Sequence, residues 1–141
     1  MAYKPLSHTA EIGFEVSSMD LNKLFVESAR AFFRELLGTL YGIKIHQEKK
    51  ATFEAEDLEE LLHKWLSFLL TEFEVNKMVY RQFEVNIDFE GDKFVMEAKM
   101  GGEPFDPEKH KVKRHLKAVT RHKLHVERER GIWRASVVID V

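Results

Sequence analysis

The sequence predicts an α+β fold, a two-layer sandwich with two amphipathic helices on one face of a mostly antiparallel sheet. Three observations predict it. Two segments, within 21–37 and 58–73, repeat apolar residues every three to four positions. Much of the remaining apolar material alternates in β-favouring runs. Two Gly-containing triplets, Glu90-Gly91-Asp92 and Glu129-Arg130-Gly131, separate such runs as hairpin turns.

In chain order, residues 10–16 read as a strand with Ile12, Phe14 and Val16 on one face. Ser17 and Ser18 offer N-caps for the first helix. Its apolar face is Leu21, Leu24, Phe25, Ala29, Phe32, Phe33, Leu36 and Leu37, and Gly38 is a natural C-terminal stop. Residues 43–55 form a second strand. Asp57 caps a second helix, whose apolar face runs through Leu58, Leu61, Leu62, Trp65, Leu66, Leu69 and Phe73. Strands at 79–89 and 93–100 flank the first hairpin triplet. Asp106-Pro107 starts a single helical turn, since Pro is suited to the first helical position. Strands at 114–127 and 132–140 flank the second triplet. The sequence holds no internal repeat or low-complexity linker, so residues 1–141 read as one domain.

Composition supports a core and excludes several chemistries. Hydrophobic residues make up 44% of the chain, with 11 Phe, which suffices for a domain of this size. The formal net charge of −2 gives no overall pull toward nucleic acid or membrane. The absence of Cys excludes a disulfide framework, a thiolate metal site and a Cys nucleophile. The first residues, MAYKPLSHTAE, contain no apolar run of signal-peptide type, and no stretch approaches 18 apolar residues. The expectation is a cytoplasmic protein with no membrane partner.

Three groups of residues carry possible chemistry. Asp140 ends the apolar run Val137-Val138-Ile139 and shares a strand face with Ser136 and Val138. Read alone, it is a solvated acid at a strand end, and Glu11 is an ordinary surface acid. Only an N-terminal strand lying beside the C-terminal one would bring them together. The stretch between Glu108 and Glu127 contains no acid but seven Lys and Arg, at 109, 111, 113, 114, 117, 121 and 123, and four of the seven His. It reads either as a guarded edge strand or as a surface for phosphate or an acidic partner. On a strand, His122 and His125 point to opposite faces, which argues against a histidine zinc site. Enzyme motifs such as GxSxG, a P-loop, GxGxxG and HExxH are absent. One enzymatic arrangement stays open, a metal-dependent phosphoesterase site made from His8, Glu11 and Asp140.

The runs HTAEIGFEV (8–16), KAVTRHKLHV (117–126) and ASVVIDV (135–141) resemble the archease family, and GGEPFDPEKH (101–110) is similar to that family's G-E-x-x-D…H segment at Gly102, Glu103, Asp106 and His110. The resemblance implies a single divalent-metal site made by Glu11, Asp140 and a main-chain oxygen of Val141, whose terminal carboxylate would add negative charge. Oxygen-only ligation suits Ca²⁺, with Mg²⁺ as the other hard candidate, and not zinc. The family usually has Asp at the position of Glu11, and a Tyr at that of Arg121. The resemblance also implies a non-catalytic accessory protein that activates an RtcB-type, GTP-dependent tRNA-splicing ligase by promoting its guanylylation and multiple turnover. Partner or RNA contact falls to His8, Glu103, Lys117, Arg121 and His122. A chaperone of a tRNA methyltransferase is the alternative role.

Overall fold

The computed structural model describes residues 10–141. Nine elements follow one another: β1 (Glu11–Ser18), α1 (Leu21–Leu37), β2 (Gln47–Ala55), α2 (Leu58–Glu74), β3 (Met78–Glu90), β4 (Lys93–Pro104), β5 (Ala118–Val119), β6 (His125–Glu129) and β7 (Ile132–Asp140). The α+β class is as the sequence predicts: two helices pack on antiparallel strands. The strands, however, divide into two sheets. In one, β7 pairs with β1 along one edge and with β5 and β6 along the other; the second has the order β2-β4-β3. The strand backbones of the two sheets stay apart, whereas both helices pack on both sheets. The helices are therefore the layer that joins them.

Their burial pattern shows how. On α1 the buried positions come in adjacent pairs, Leu24/Phe25, Ser28/Ala29, Phe32/Phe33 and Leu36/Leu37. On α2 the buried apolar positions are Leu61/Leu62, Trp65/Leu66 and Leu69/Leu70, with Glu72 buried beyond them. Two parallel i, i+4 rows give each helix a stripe broad enough to face two surfaces. The Trp65 indole donates to Phe25 O across the helix pair at 3.1 Å, so the largest buried side chain leaves no polar atom unsatisfied. No helix among the described residues is long and apolar enough to cross a membrane.

Several boundaries differ from the sequence expectation. β1 continues through Ser18, which pairs with Trp133, so the helix cap moves to Asp20, whose carboxylate accepts from the Asn22 and Lys23 amides. The second strand starts at Gln47 and not at 43, because Leu40–Ile43 close a turn and the Lys44 amide is drawn to Glu103. The predicted strand 114–127 is two short strands, β5 and β6, separated by a turn in which Lys123 adopts φ 54°. Asp106-Pro107 does open one helical turn, closed by the His110 amide donating to Asp106 O at 2.7 Å. Both hairpins form where expected. Gly91 has φ 68° at the first central position of one, and Arg130-Gly131 both have positive φ in the other.

Candidate metal and partner site

β1 and β7 pair antiparallel with Glu11 directly opposite Asp140. The Val141 amide donates to Ala10 O at 3.0 Å, while Asp140 O points the other way and accepts from the Lys117 amide at 2.7 Å. Glu11 and Asp140 are therefore a non-hydrogen-bonded pair, the kind in which the two Cα atoms lie about 4.5 Å apart and the side chains come closest. The alternation fixes which way they face. Ile139 and Val119 are buried on the helix side, so Asp140, Glu11 and Ala118, which occupy the alternate positions, lie on the outer face. Glu11 is exposed and Asp140 half-buried.

Like charges placed opposite each other in a sheet repel. Among the described residues neither carboxylate has an ion pair or side-chain hydrogen bond, and no group of three or more His, Asp or Glu side chains converges. Two carboxylates on one exposed face, beside the main chain of Val141, are an oxygen donor set of the kind that holds a hard divalent cation. The residues present fit that group. Beyond the pair, the same face continues through Gly13 opposite Val138 and Glu15 opposite Ser136. With Lys123 these line a shallow depression of about 400 Å³.

The other predicted contact residues separate into three groups. Lys117 stands next to the carboxylate pair, held by its bond to Asp140 O, with its side chain exposed. Arg121 and His122 lie farther along, in the β5–β6 turn. The Arg121 guanidinium makes a bidentate bridge to Glu60 of α2 at 2.8 and 3.0 Å, which holds the Glu60 carboxyl below its usual range. His122 is exposed, on a turn and not on a strand, so strand alternation does not set it on the face opposite His125. Its neighbour His125 contacts Glu127 at 2.9 Å. His8 lies outside the described residues.

Glu103 is in the other sheet and is only 6% exposed, so it is not presented to a partner. One oxygen accepts from the Lys44 amide at 2.9 Å, from Lys109 Nζ at 2.7 Å and from His110 Nε2 at 2.8 Å. The other accepts from Lys109 at 2.9 Å and lies 3.7 Å from His46. Burial pushes the carboxyl pKa up, but hydrogen bonds from Lys109, the Lys44 amide and His110 outweigh it and hold the value down at about 2. His110 is buried, and its Nδ1 accepts from the Asp106 amide at 3.0 Å. Its proton therefore sits on Nε2, aimed at Glu103. The G-E-x-x-D…H segment is thus a structural clasp. Gly102 belongs to it because of the β-bulge at Tyr80/Gln82, where a Cβ on residue 102 would overlap Val79 O.

The archease protein family model matches residues 3–141. The chain belongs to the archease family. Archeases from Methanopyrus kandleri and Archaeoglobus fulgidus are 35% and 37% identical to it over 141 residues, covering all of each chain. The solution structure of protein 1598 from Methanobacterium thermoautotrophicum superposes with a TM-score of 0.83 at 29% identity, covering 96% of both chains. The crystal structure of a Thermotoga maritima archease, described as a possible chaperone, superposes with a TM-score of 0.61 at 24% identity over all of this chain and 98% of that one, and shows the shared fold. The described parts of those two archease motifs, residues 11–16 and 135–140, thus belong to two strands, β1 and β7, that lie side by side.

Proposed function

We propose that this archease is an accessory protein that activates an RtcB-type tRNA-splicing RNA ligase, promoting its guanylylation and repeated turnover, and that Glu11, Asp140 and the main-chain oxygen of Val141 hold one divalent cation for that purpose. The observation that carries the reading is the register Glu11↔Asp140, which puts two acids with no cationic partner among the described residues on one exposed face. The cation, Ca²⁺ or Mg²⁺ by its oxygen donors, supplies a positive charge to the partner's phosphate-bearing site. The chain's own residues position it. Asp140 has β1 on one side and β5 on the other, so its backbone is fixed from both edges. Glu11 is one methylene longer than the acid the family usually carries there, and its exposed position leaves it room to adjust.

The test is multiple-turnover RNA ligation by the ligase with and without this protein, together with calcium and magnesium titrations of the protein alone. Stimulation that needs the cation and disappears with Asp140→Ala is the expected result; no stimulation by the intact chain rejects the ligase reading. A second reading, chaperone of a tRNA methyltransferase, follows from the family resemblance, and is favoured if the methyltransferase product pattern changes while ligation does not. Release of phosphate or cleavage of phosphodiesters by the protein alone would favour the phosphoesterase.

A further inference from the structure

Tyr41 is 91% exposed, the most exposed large hydrophobic residue among those described. It stands at the tip of a turn closed by the Ile43 amide on Leu40 O, with Gly42 at φ 96°. The buried neighbours Leu40 and Ile43 anchor both sides of that turn, so the ring is held outward. One lysine without a carboxylate partner among the described residues, Lys113, passes near this turn. The stem of Lys113 lies against Gly38, three residues before Tyr41.

The acid-free segment is clamped at three places. Lys109 and His110 are tied to Glu103, as is the Lys44 amide of the Tyr41 loop. The Lys113 and Arg114 amides donate to Leu36 O at the end of α1. The Lys117 amide donates to Asp140 O. The segment therefore leads from beside the Tyr41 turn to the Glu11–Asp140 pair, with Lys111, Lys113 and Lys117 exposed along it. Lys117 lies four positions after Lys113, a reach of at most about 14 Å. The helix geometry agrees. β1 has 8 residues and α1 has 17, and each spans about 26 Å. α1 follows β1 after two residues and packs against it, which turns the end of α1 back toward the start of β1.

We propose that this surface binds single-stranded RNA, with a base stacked on Tyr41 and successive phosphates on Lys111, Lys113 and Lys117, so that the strand is led to the carboxylate pair. Stacking on an exposed aromatic ring suits an unpaired strand, whose bases are free to turn out, and spaced lysines follow its backbone. The choice of RNA over DNA rests on the ligase reading above; the stacking and phosphate contacts do not.

Fluorescence anisotropy of a labelled oligoribonucleotide, measured without any ligase, tests the proposal. The intact chain is expected to bind the single strand more tightly than the same sequence as a duplex. Tyr41→Ala should weaken binding about tenfold, and its exposure means that the melting temperature stays unchanged. Three phosphate contacts predict a slope near −2 in log affinity against log salt, and Lys111→Ala should reduce its magnitude by about 0.7. Asp140→Ala should leave this affinity unaltered, which separates failure here from failure of the metal reading. Equal binding of duplex and single strand, or no loss with Tyr41→Ala, overturns the proposal. So does loss of ligase stimulation by Tyr41→Ala at unchanged RNA affinity, which would make the surface a protein contact. Tighter binding of DNA than RNA would overturn the assignment of the strand. A drop in melting temperature for Lys111→Ala with no change in RNA affinity would show that the lysines serve only the end of α1.

Discussion

Glu103 and the Glu11–Asp140 pair are both carboxylate features of the family's motifs, and the fold treats them oppositely. Glu103 is buried, and its oxygens are taken by Lys44, Lys109 and His110. Glu11 and Asp140 sit on an exposed face, opposite one another, and neither makes an ion pair among the described residues. A buried charge persists only when it is paired and hydrogen-bonded, so the acid in the interior is spent on the scaffold. An acid pair left at the surface with its repulsion uncompensated has capacity to spare for something from outside. Membership of a recognisable motif does not separate these two cases, whereas the use of each oxygen does.

The comparison can be broken most forcefully at Glu103. Replacing it with Ala strands the His110 Nε2–H, the Lys44 amide and the Lys109 charge, and should cost about 3–5 kcal/mol in urea unfolding. A loss under 1 kcal/mol would mean that the clasp is not a structural element. Asp140→Ala should abolish ligase stimulation, yet in chelator it should leave stability unchanged or raise it by about 0.2–1 kcal/mol, because a like-charge contact is removed. A variant that unfolds, or one that still stimulates, would erase the distinction between scaffold acid and site acid.

Acid unfolding sharpens the contrast at smaller amplitude. Above pH 4.5, the ordinary value for Glu, Glu103 is ionised whether the chain is folded or not, and its full contribution is present. As the pH falls from 4.5 toward about 2, the unfolded chain takes up a proton that folded Glu103 refuses, so stability declines through that window. Glu103→Gln should flatten that part of the curve; an unchanged slope would show that other carboxylates set it. The smallest effect belongs to Arg121→Ala. Its bridge to Glu60 is exposed, so any decrease in melting temperature should be slight and vanish at high salt.

Parts of the fold were legible in advance for identifiable reasons. Both helices had continuous apolar stripes, a stop at Gly38 and a cap at Asp57, and each of these is a local signal. The doubled rows Phe32/Phe33, Leu36/Leu37 and Leu61/Leu62 already carried the sign of two packing surfaces, but a stripe on one sheet explains the same letters less fully. The false strand at 114–127 also had a warning in it. Leu116, Val119 and Val126 are all buried, yet their odd spacings would put neighbours in that series on opposite faces of one strand. Glu103 was read as a contact residue because its letters sit in a motif; no sequence signal shows that Lys109 and His110 turn back on it.

By itself the sequence determined the element types, the positions of both hairpin turns and the family, since periodicity, turn chemistry and motif identity are properties of short stretches of chain. It also placed Asp140 on one face with Ser136 and Val138. Tertiary structure alone decided that Glu11 meets Asp140, that the strands form two sheets joined by helices, and that the acid-free segment is tied to the end of α1 and to Asp140. Those outcomes depend on which distant segments pair. Side-chain and amide hydrogen bonds between residues 44 and 103, or a register between residues 11 and 140, are settled by burial and backbone satisfaction across the whole chain, not by the residues nearby in sequence.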